Sequence, residues 1–388
     1  MVKKKICVIT GSRSEYSLLK ILMKDINKTD GLQLQTIVTG MHLSPEFGFT
    51  IDEIKKDGFV INKKVEMLLS SDSSVGISKS TGLGIIGFAD AFEELNPDMI
   101  ILLGDRFETL SAGIAAMFFR IPISHIHGGE ITEGAYDEAI RHSLTKISYL
   151  HFVSTNVYKN RVIQLGESPE RVFNVGALGC QNIKKYKYLS KQELEDDILF
   201  KFGKKSILVT YHPETLQINS SSLVFNELLK ALNAFPDINI LFTYPNADND
   251  GRIIISMINE YCNSNKNAHF IPSLGSKRYF SFIKYCDGVI GNSSSSIIEL
   301  PSLKKGAINI GNRQKGRVFG DNIINSLPEK NAIINAIKEL FSNEFNNKLK
   351  KIKNPYENGN TSNKIIEVIK QFKIDPSLVK SFHDINSI

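Results

Sequence analysis

Short apolar runs alternate with amphipathic stretches along most of this chain. The first run, KKICVIT from Lys4, ends in a Gly-Ser-Arg turn, and Leu18, Leu19, Leu22 and Met23 then recur at helical spacing. Strand, turn and helix are therefore predicted in succession. The grammar returns in QLQTIVTG, DMIILLGDRFETLSAGIAAMFF, IPISHIHGG and YLHFVST. Continuous apolar strands spaced by helices belong in parallel sheets covered on both faces. Between Lys184 and Lys205 the sequence KKYKYLSKQELEDDILFKFGKK turns polar and charged, which predicts a linker. Beyond it the pattern repeats in SILVTYHPE, a helix around Leu223 to Leu232, INILFTYPN, AHFIPSL, CDGVIGNSSSSIIEL and GAINIGNRQKGR, with helices over Asn331 to Phe341 and Lys364 to Phe372. The expected fold class is α/β, with two doubly wound domains over residues 1–183 and 184–373 and a terminal segment 374–388.

Doubly wound sheets bind ligands beyond the carboxyl ends of their strands, and two facing domains would set a cleft between those ends. The turns that follow the strands are therefore the places to look for chemistry. GSRSEY puts Arg13 at a strand-to-helix turn, where free N–H groups and the positive helix end favour an anion; an ordinary connection reads the same way. GNSSSSIIE offers Ser293 and Ser294 to phosphate oxygens, with Glu299 further along the following helix, and its bland alternative is a serine cap on a surface helix. In TYHPET, Pro213 forces His212 out of helical geometry at a strand end, while TYPNAD places Asn246 in what could also be a common Pro-Asn turn. GNRQKGR adds Arg313 and Arg317, whose guanidinium groups suit diphosphate oxygens.

The stretch His125 to Ser143, HIHGGEITEGAYDEAIRHS, gathers three histidines, four carboxylates and three glycines. Just before it, LLGDRFE ends an apolar strand on Asp105 and Arg106, either a buried salt bridge or part of a site. Gly128 and Gly129 permit a tight turn in which His125, His127 and Glu130 can crowd one ligand, while Asp137, Glu138, Arg141 and His142 open a helix. A metal site is the rival reading, but no HExxH or comparable spacing accompanies the histidine pair. Neighbouring carboxylates whose pKa values are pushed apart supply a general acid and a general base at neutral pH.

Composition narrows the classes. The chain has 388 residues, 42% hydrophobic and 23% charged, long enough for about two well-packed domains and too short of apolar runs for a membrane span. No signal peptide is read at MVKKKICVITGS, and the four scattered cysteines form no CxxC, so a reducing, cytoplasmic setting is expected. A net charge of +6 is mild and unclustered, which argues against nucleic acid and for a small anionic ligand.

Taken together, GSRSEY, VTGMHLS, GDRFE, HIHGGE, YDEAIRHSLTK, YHPET, GNSSSSIIE and INIGNRQKGR resemble the hydrolysing UDP-N-acetylglucosamine 2-epimerases of bacterial sialic acid synthesis, from about Lys3 to about Lys373. The resemblance implies a GT-B architecture of two Rossmann-like domains, a terminal segment packed back on the first domain, and a homo-oligomer, dimer or tetramer. It implies conversion of UDP-N-acetylglucosamine and water to N-acetylmannosamine and UDP through 2-acetamidoglucal, with neither metal nor NAD. It carries uridine-diphosphate contacts onto Arg13, His212, Ser293, Ser294, Glu299 and Arg313, a phosphate-side role onto Arg106, and proton transfer onto Asp105, Glu130 and Asp137. Several relatives have glutamate where this chain has His127, so Glu130, His127 and Asp137 all remain candidates for the C2 base. Epimerases of UDP- or GDP-linked 2,4-diacetamido-2,4,6-trideoxyglucose carry similar motifs, and a GT-B glycosyltransferase would share the phosphate-binding half.

Overall fold

Thirteen short strands form two separate parallel sheets in the computed structural model, which describes residues 3–71, 73–133, 136–213, 221–245, 251–374 and 378–385. In chain order they are β1 (Lys4–Thr10), β2 (Leu32–Thr39), β3 (Lys63–Val65), β4 (Met99–Leu103), β5 (Ile123–Ile126), β6 (Leu150–Val153), β7 (Val172–Asn174), β8 (Lys205–Thr210), β9 (Ile238–Thr243), β10 (Ala268–Ile271), β11 (Gly288–Gly291), β12 (Gly306–Ile310) and β13 (Ile323–Ser326). The first sheet has the order β3-β2-β1-β4-β5-β6-β7 and the second β10-β9-β8-β11-β12-β13. Each winds outward from its first strand, then crosses back over it. The crossing leaves a crevice at the carboxyl ends of β1 and β4 in one sheet and of β8 and β11 in the other.

The central strands bury both of their faces. In β1, Ile6 and Val8 join the cluster that holds Leu19, Leu22 and Ile26 of the helix Arg13–Lys28, while Cys7 and Ile9 point the other way, to Phe88, Phe92 and Ala112. The period of two thus feeds two cores from one strand. Removing one fully buried side chain, as in Ile101→Ala, costs about 2–5 kcal/mol through lost transfer and an unfilled cavity.

The chain divides into unit 1 (Met1–Glu130, Asp137–Asn182, Tyr356–Ile388) and unit 2 (Ile131–Tyr136, Ile183–Pro355). This corrects the expected boundary at residue 373. The helix Thr361–Gln371 buries Ile365, Ile366 and Ile369 in the same core as Ile6 and Val8, so it belongs to unit 1. Its periodicity announces an apolar stripe without saying which sheet that stripe covers. The polar stretch after Lys184 is likewise not a bare linker. Ser190 and Glu193 form a capping box on the helix Lys191–Ile198, whose Leu194 and Ile198 enter a unit 2 core. Among the described residues no helix is long and apolar enough to cross a membrane.

Candidate active site

At the carboxyl edge of the unit 1 sheet, one buried arginine organises the acidic residues. Arg141 lies on the helix Asp137–Ile147 and is 1% exposed. Its guanidinium is ion-paired with Asp105, and its Nη1 donates to the Glu130 carbonyl and to Glu138 Oε2, each at 3.0 Å. A buried guanidinium left unpaired would be very costly, so these contacts fix one another. Asp105 follows β4 after Gly104, whose φ of +79° turns the chain sharply out of the strand. Glu130 Oε1 accepts from Ser154 Oγ at 3.1 Å and lies 3.0 Å from His127 Nδ1.

His127 itself has φ +69°, an uncommon conformation for a residue with a side chain, while its N–H donates to the Phe152 carbonyl of β6 at 3.0 Å. A strained residue beside a carboxylate is a familiar mark of a functional turn. The glycine pair behind it has a steric cause. A Cβ on Gly129 would stand 2.6 Å from the Tyr158 carbonyl oxygen, and one on Gly128 would stand 3.1 Å from the His125 ring. Asp105, His127 and Glu130 are therefore brought together around Arg141 and Ser154. Asp137 opens the helix one turn before Arg141 and is half-buried.

The crevice between β1 and β4 holds a second acidic pair. Glu15 Oε2 accepts from Gly11 N–H at 2.7 Å, and Glu108, 1% exposed, lies 3.5 Å from Arg106 Nε. Burial first, and then the Glu108 charge, pushes the Glu15 carboxyl up to about 7. Arg106 caps the helix Phe107–Phe118, and Arg13 is ion-paired with Glu53. His42, buried between Thr10 Oγ1 at 3.0 Å and Thr50 Oγ1 at 2.6 Å, is pulled down to about 4 by burial and stays neutral.

The corresponding edge of unit 2 is built from amides and hydroxyls. His212 donates its backbone N–H to Asn292 Oδ1 at 2.7 Å, and Asn292 Nδ2 returns a bond to the His212 carbonyl at 2.8 Å. Gln314 Nε2 and Arg313 Nη1 both donate to the Asn292 carbonyl, at 2.7 and 3.3 Å. Ser293 and Ser294 are half-buried beside this clip, and Ser294 begins a single helical turn, Ser295–Ile298. Glu299 follows that turn as its C-cap and is buried, and a 3-10 turn, Leu300–Leu303, comes next, so the longer α-helix expected here is one turn only. Arg317 Nε donates to the Ile131 carbonyl at 3.2 Å, and its Nη2 lies 3.4 Å from Thr132 Oγ1. Asn246 lies outside the described residues. Among the described residues, no group of three or more His, Cys, Asp or Glu side chains is arranged to hold a metal ion.

Glu15, Glu108, Asn292 and Gln314 were not picked out by sequence reasoning, although each sits inside a quoted motif. Their signal was position alone, one turn into a helix or next to a strand end.

Residues 24–370 match the model of the family described as UDP-N-acetylglucosamine 2-epimerase. The chain belongs to that family. It is 44% identical over 387 residues to the GDP/UDP-N,N'-diacetylbacillosamine 2-epimerase (hydrolyzing) of Campylobacter jejuni, covering 99% of this chain and 100% of that one. It is 42% identical over 387 residues to polysialic acid biosynthesis protein P7 of Escherichia coli, with 98% of each covered. The UDP-N,N'-diacetylbacillosamine 2-epimerase (hydrolyzing) of Legionella pneumophila is 34% identical over 377 residues, covering 97% of this chain and 98% of that one. Among solved structures, the UDP-GlcNAc 2-epimerase of Neisseria meningitidis bound to UDP-GlcNAc shares the fold with a TM-score of 0.81 at 20% identity, over 95% of this chain and 100% of that one. The resemblance read from the motifs thus names the right family, a family of hydrolysing nucleotide-sugar 2-epimerases, and the right GT-B fold class.

Proposed function

We propose that this epimerase acts on a nucleotide-linked 2,4-diacetamido-2,4,6-trideoxyglucose rather than on UDP-N-acetylglucosamine. Two relatives of different genera, at 44% and 34% identity over nearly their whole lengths, carry that substrate in their names. The UDP-N-acetylglucosamine reading draws on the polysialic acid protein at 42%. In the proposed reaction a side chain removes the C2 proton while the C1–O bond to the diphosphate breaks on the opposite face. Water then adds to C1 of the glycal, and C2 is reprotonated from the other side, so the products are the 2-epimeric sugar and a nucleoside diphosphate.

The observation that carries the chemistry is the Arg141-centred cluster of Asp105, His127 and Glu130. Arg141 holds the Asp105 carboxylate in place, and Glu130 Oε1 is shared between an imidazole and a hydroxyl, so a proton can pass along hydrogen bonds already formed. Asp137 is a further acid at this edge, one turn before Arg141. In unit 2, Arg313, Ser293 and Ser294 are assigned to the departing diphosphate, with His212 and Glu299 on the nucleotide side. Charge grows on the diphosphate as the bond breaks, so preorganised donors there act on the transition state.

Side-by-side turnover of the UDP- and GDP-linked diacetamido sugars and of UDP-N-acetylglucosamine tests the assignment. A kcat/KM for one of the diacetamido substrates at least about 100-fold above that for UDP-N-acetylglucosamine is expected, because a pocket built for the C4 amide leaves its polar groups unpaired with the other sugar. The reverse order would return the protein to the N-acetylmannosamine reading.

A further inference from the structure

Two sets of buried polar contacts lie on neighbouring strands of unit 1, one tying Glu167 and Lys380 to His151 on β6 and the other tying His125 on β5 to the turn that carries Asp105. Glu167 is fully buried and accepts from Lys146 Nζ at 2.7 Å, Lys380 Nζ at 2.7 Å and His151 Nε2 at 3.0 Å. Lys380 is held as well: its Nζ donates to the carbonyls of Lys146 and Ser148, at 2.6 and 2.9 Å, and His383 N–H donates to the Gly166 carbonyl at 2.9 Å. On β6, His151 pairs in register with His125 of β5, so the two rings project to the same face of the sheet. His125 Nε2 then meets the Gly104 carbonyl at 2.7 Å.

The hydrogen positions follow from the partners. A carbonyl and a carboxylate only accept, so each ring carries its hydrogen on Nε2 and leaves Nδ1 as a lone pair. Both Nδ1 atoms are buried and have no hydrogen-bonding partner among the described residues. Burial lowers both histidines, His125 to about 4, in keeping with two neutral rings. Gly128 closes over His125 so tightly that a Cβ would stand 3.1 Å from Nδ1. The ring therefore has one place to be. Gly104, with φ +79°, is the softest point of the strand end, and it is tied at both of its polar atoms: its N–H donates to Ile126 O at 3.0 Å and its carbonyl accepts from His125.

We propose that His125 is a positioning residue for the epimerase reaction: its Nε2–H fixes the Gly104 peptide from which Asp105 projects, and the Glu167–His151 pair, latched by Lys380, holds that imidazole in place. The proposal rests on the proton-transfer role given to Asp105 above. Arg141 restrains the Asp105 carboxylate from the side-chain end, and His125 restrains it from the backbone end. Neither does the work of the other, because a carboxylate held by one ion pair can still swing if its peptide rotates.

The test compares His125→Leu, His125→Gln and Lys380→Met in the full chain, measuring kcat and KM on the nucleotide sugar that the wild type turns over, with UDP and GDP binding followed by calorimetry. A misplaced reacting group costs up to about 100-fold. His125→Leu is expected to lose about that much in kcat, with KM and nucleotide Kd within about twofold of wild type. His125→Gln, whose amide N–H can reach the same carbonyl, is expected to recover about tenfold of the loss, a rescue that a purely space-filling role would not give. Lys380→Met, at the far end, is expected to lower kcat about fivefold. Wild-type kcat in His125→Leu overturns the proposal. Should that variant lose nucleotide binding and hence its fold, unchanged kcat in Lys380→Met overturns it instead. A wild type inactive on every nucleotide sugar strikes the proposed function itself, whereas an active wild type matched by His125→Leu strikes only the positioning role.

Discussion

The two sheet edges share a strand order and differ in chemistry. In unit 1 the carboxyl edge is crowded with ionisable side chains that hold one another: Asp105 with Arg141, Glu130 with His127, Glu108 beside Arg106. In unit 2 the corresponding edge is a clip of neutral groups, Asn292 bound to the His212 backbone and Gln314 bound to Asn292, with Arg313 alongside. The proposed function gives this one scaffold two tasks. Groups that must gain and lose protons need neighbours that tune them, whereas groups that hold a permanent diphosphate charge need fixed dipoles and a cation that never deprotonates. Gly291 shows how tightly the second edge is built: with φ +144°, a Cβ there would fall 1.8 Å from the Thr210 carbonyl oxygen.

Substitutions on either edge sharpen this contrast. The largest effect is expected from Asp105→Asn, which should lower kcat by about 1000-fold, within the range of a lost acid or base, while calorimetric UDP binding stays within about twofold. Equal losses in both would place Asp105 among the binding groups. Next comes Asn292→Ala, which strands the buried His212 N–H and carbonyl; about 3 kcal/mol of stability is expected to go in denaturant titrations, with weaker nucleotide binding. Arg313→Met should weaken nucleotide binding by about 10- to 100-fold, the usual worth of a charge-assisted contact, and leave the unfolding midpoint nearly unchanged.

The smallest effect concerns pH. Burial and the Glu108 charge raise the Glu15 carboxyl from its ordinary 4.5 to about 7. The folded state therefore holds this proton more tightly than the unfolded one. Its stabilising share is full below pH 4.5 and is lost as pH rises through about 7. Glu15→Gln, neutral throughout, should match wild type near pH 5 and melt a few degrees higher at pH 8. Identical melting curves at both values would remove the buried acid from the unit 1 account.

Much of this arrangement was legible from residue patterns because the central strands are buried on both faces and read as unbroken apolar runs. MIILL, SILVT and GAINI left little choice of structure, and the turns after them followed. The edge strands β3, β7 and β13 were missed because KKV, VFN and IINS are short and partly polar, with one neighbour instead of two. The motifs brought Asp105, Glu130 and Arg313 into view, since charges at the end of an apolar strand stand out. Arg141 was noticed as part of a charged helix but its central place was not, because nothing in a spacing of residues says that one guanidinium will be buried against a strand end 36 residues earlier. Asn292 and Gln314 were invisible for a similar reason: neutral amides in a loop look like ordinary turn residues until their partners are known.

The most direct measurement is turnover of the preferred nucleotide-linked sugar in heavy water, with the released sugar read by mass spectrometry and proton NMR. Proton removal and return at the unit 1 edge predicts one solvent deuterium at C2 of a 2-epimeric product. Release of the nucleoside diphosphate with the original hydrogen still on C2 would contradict the account, since the bond would then have been cleaved without the acids and bases assigned here.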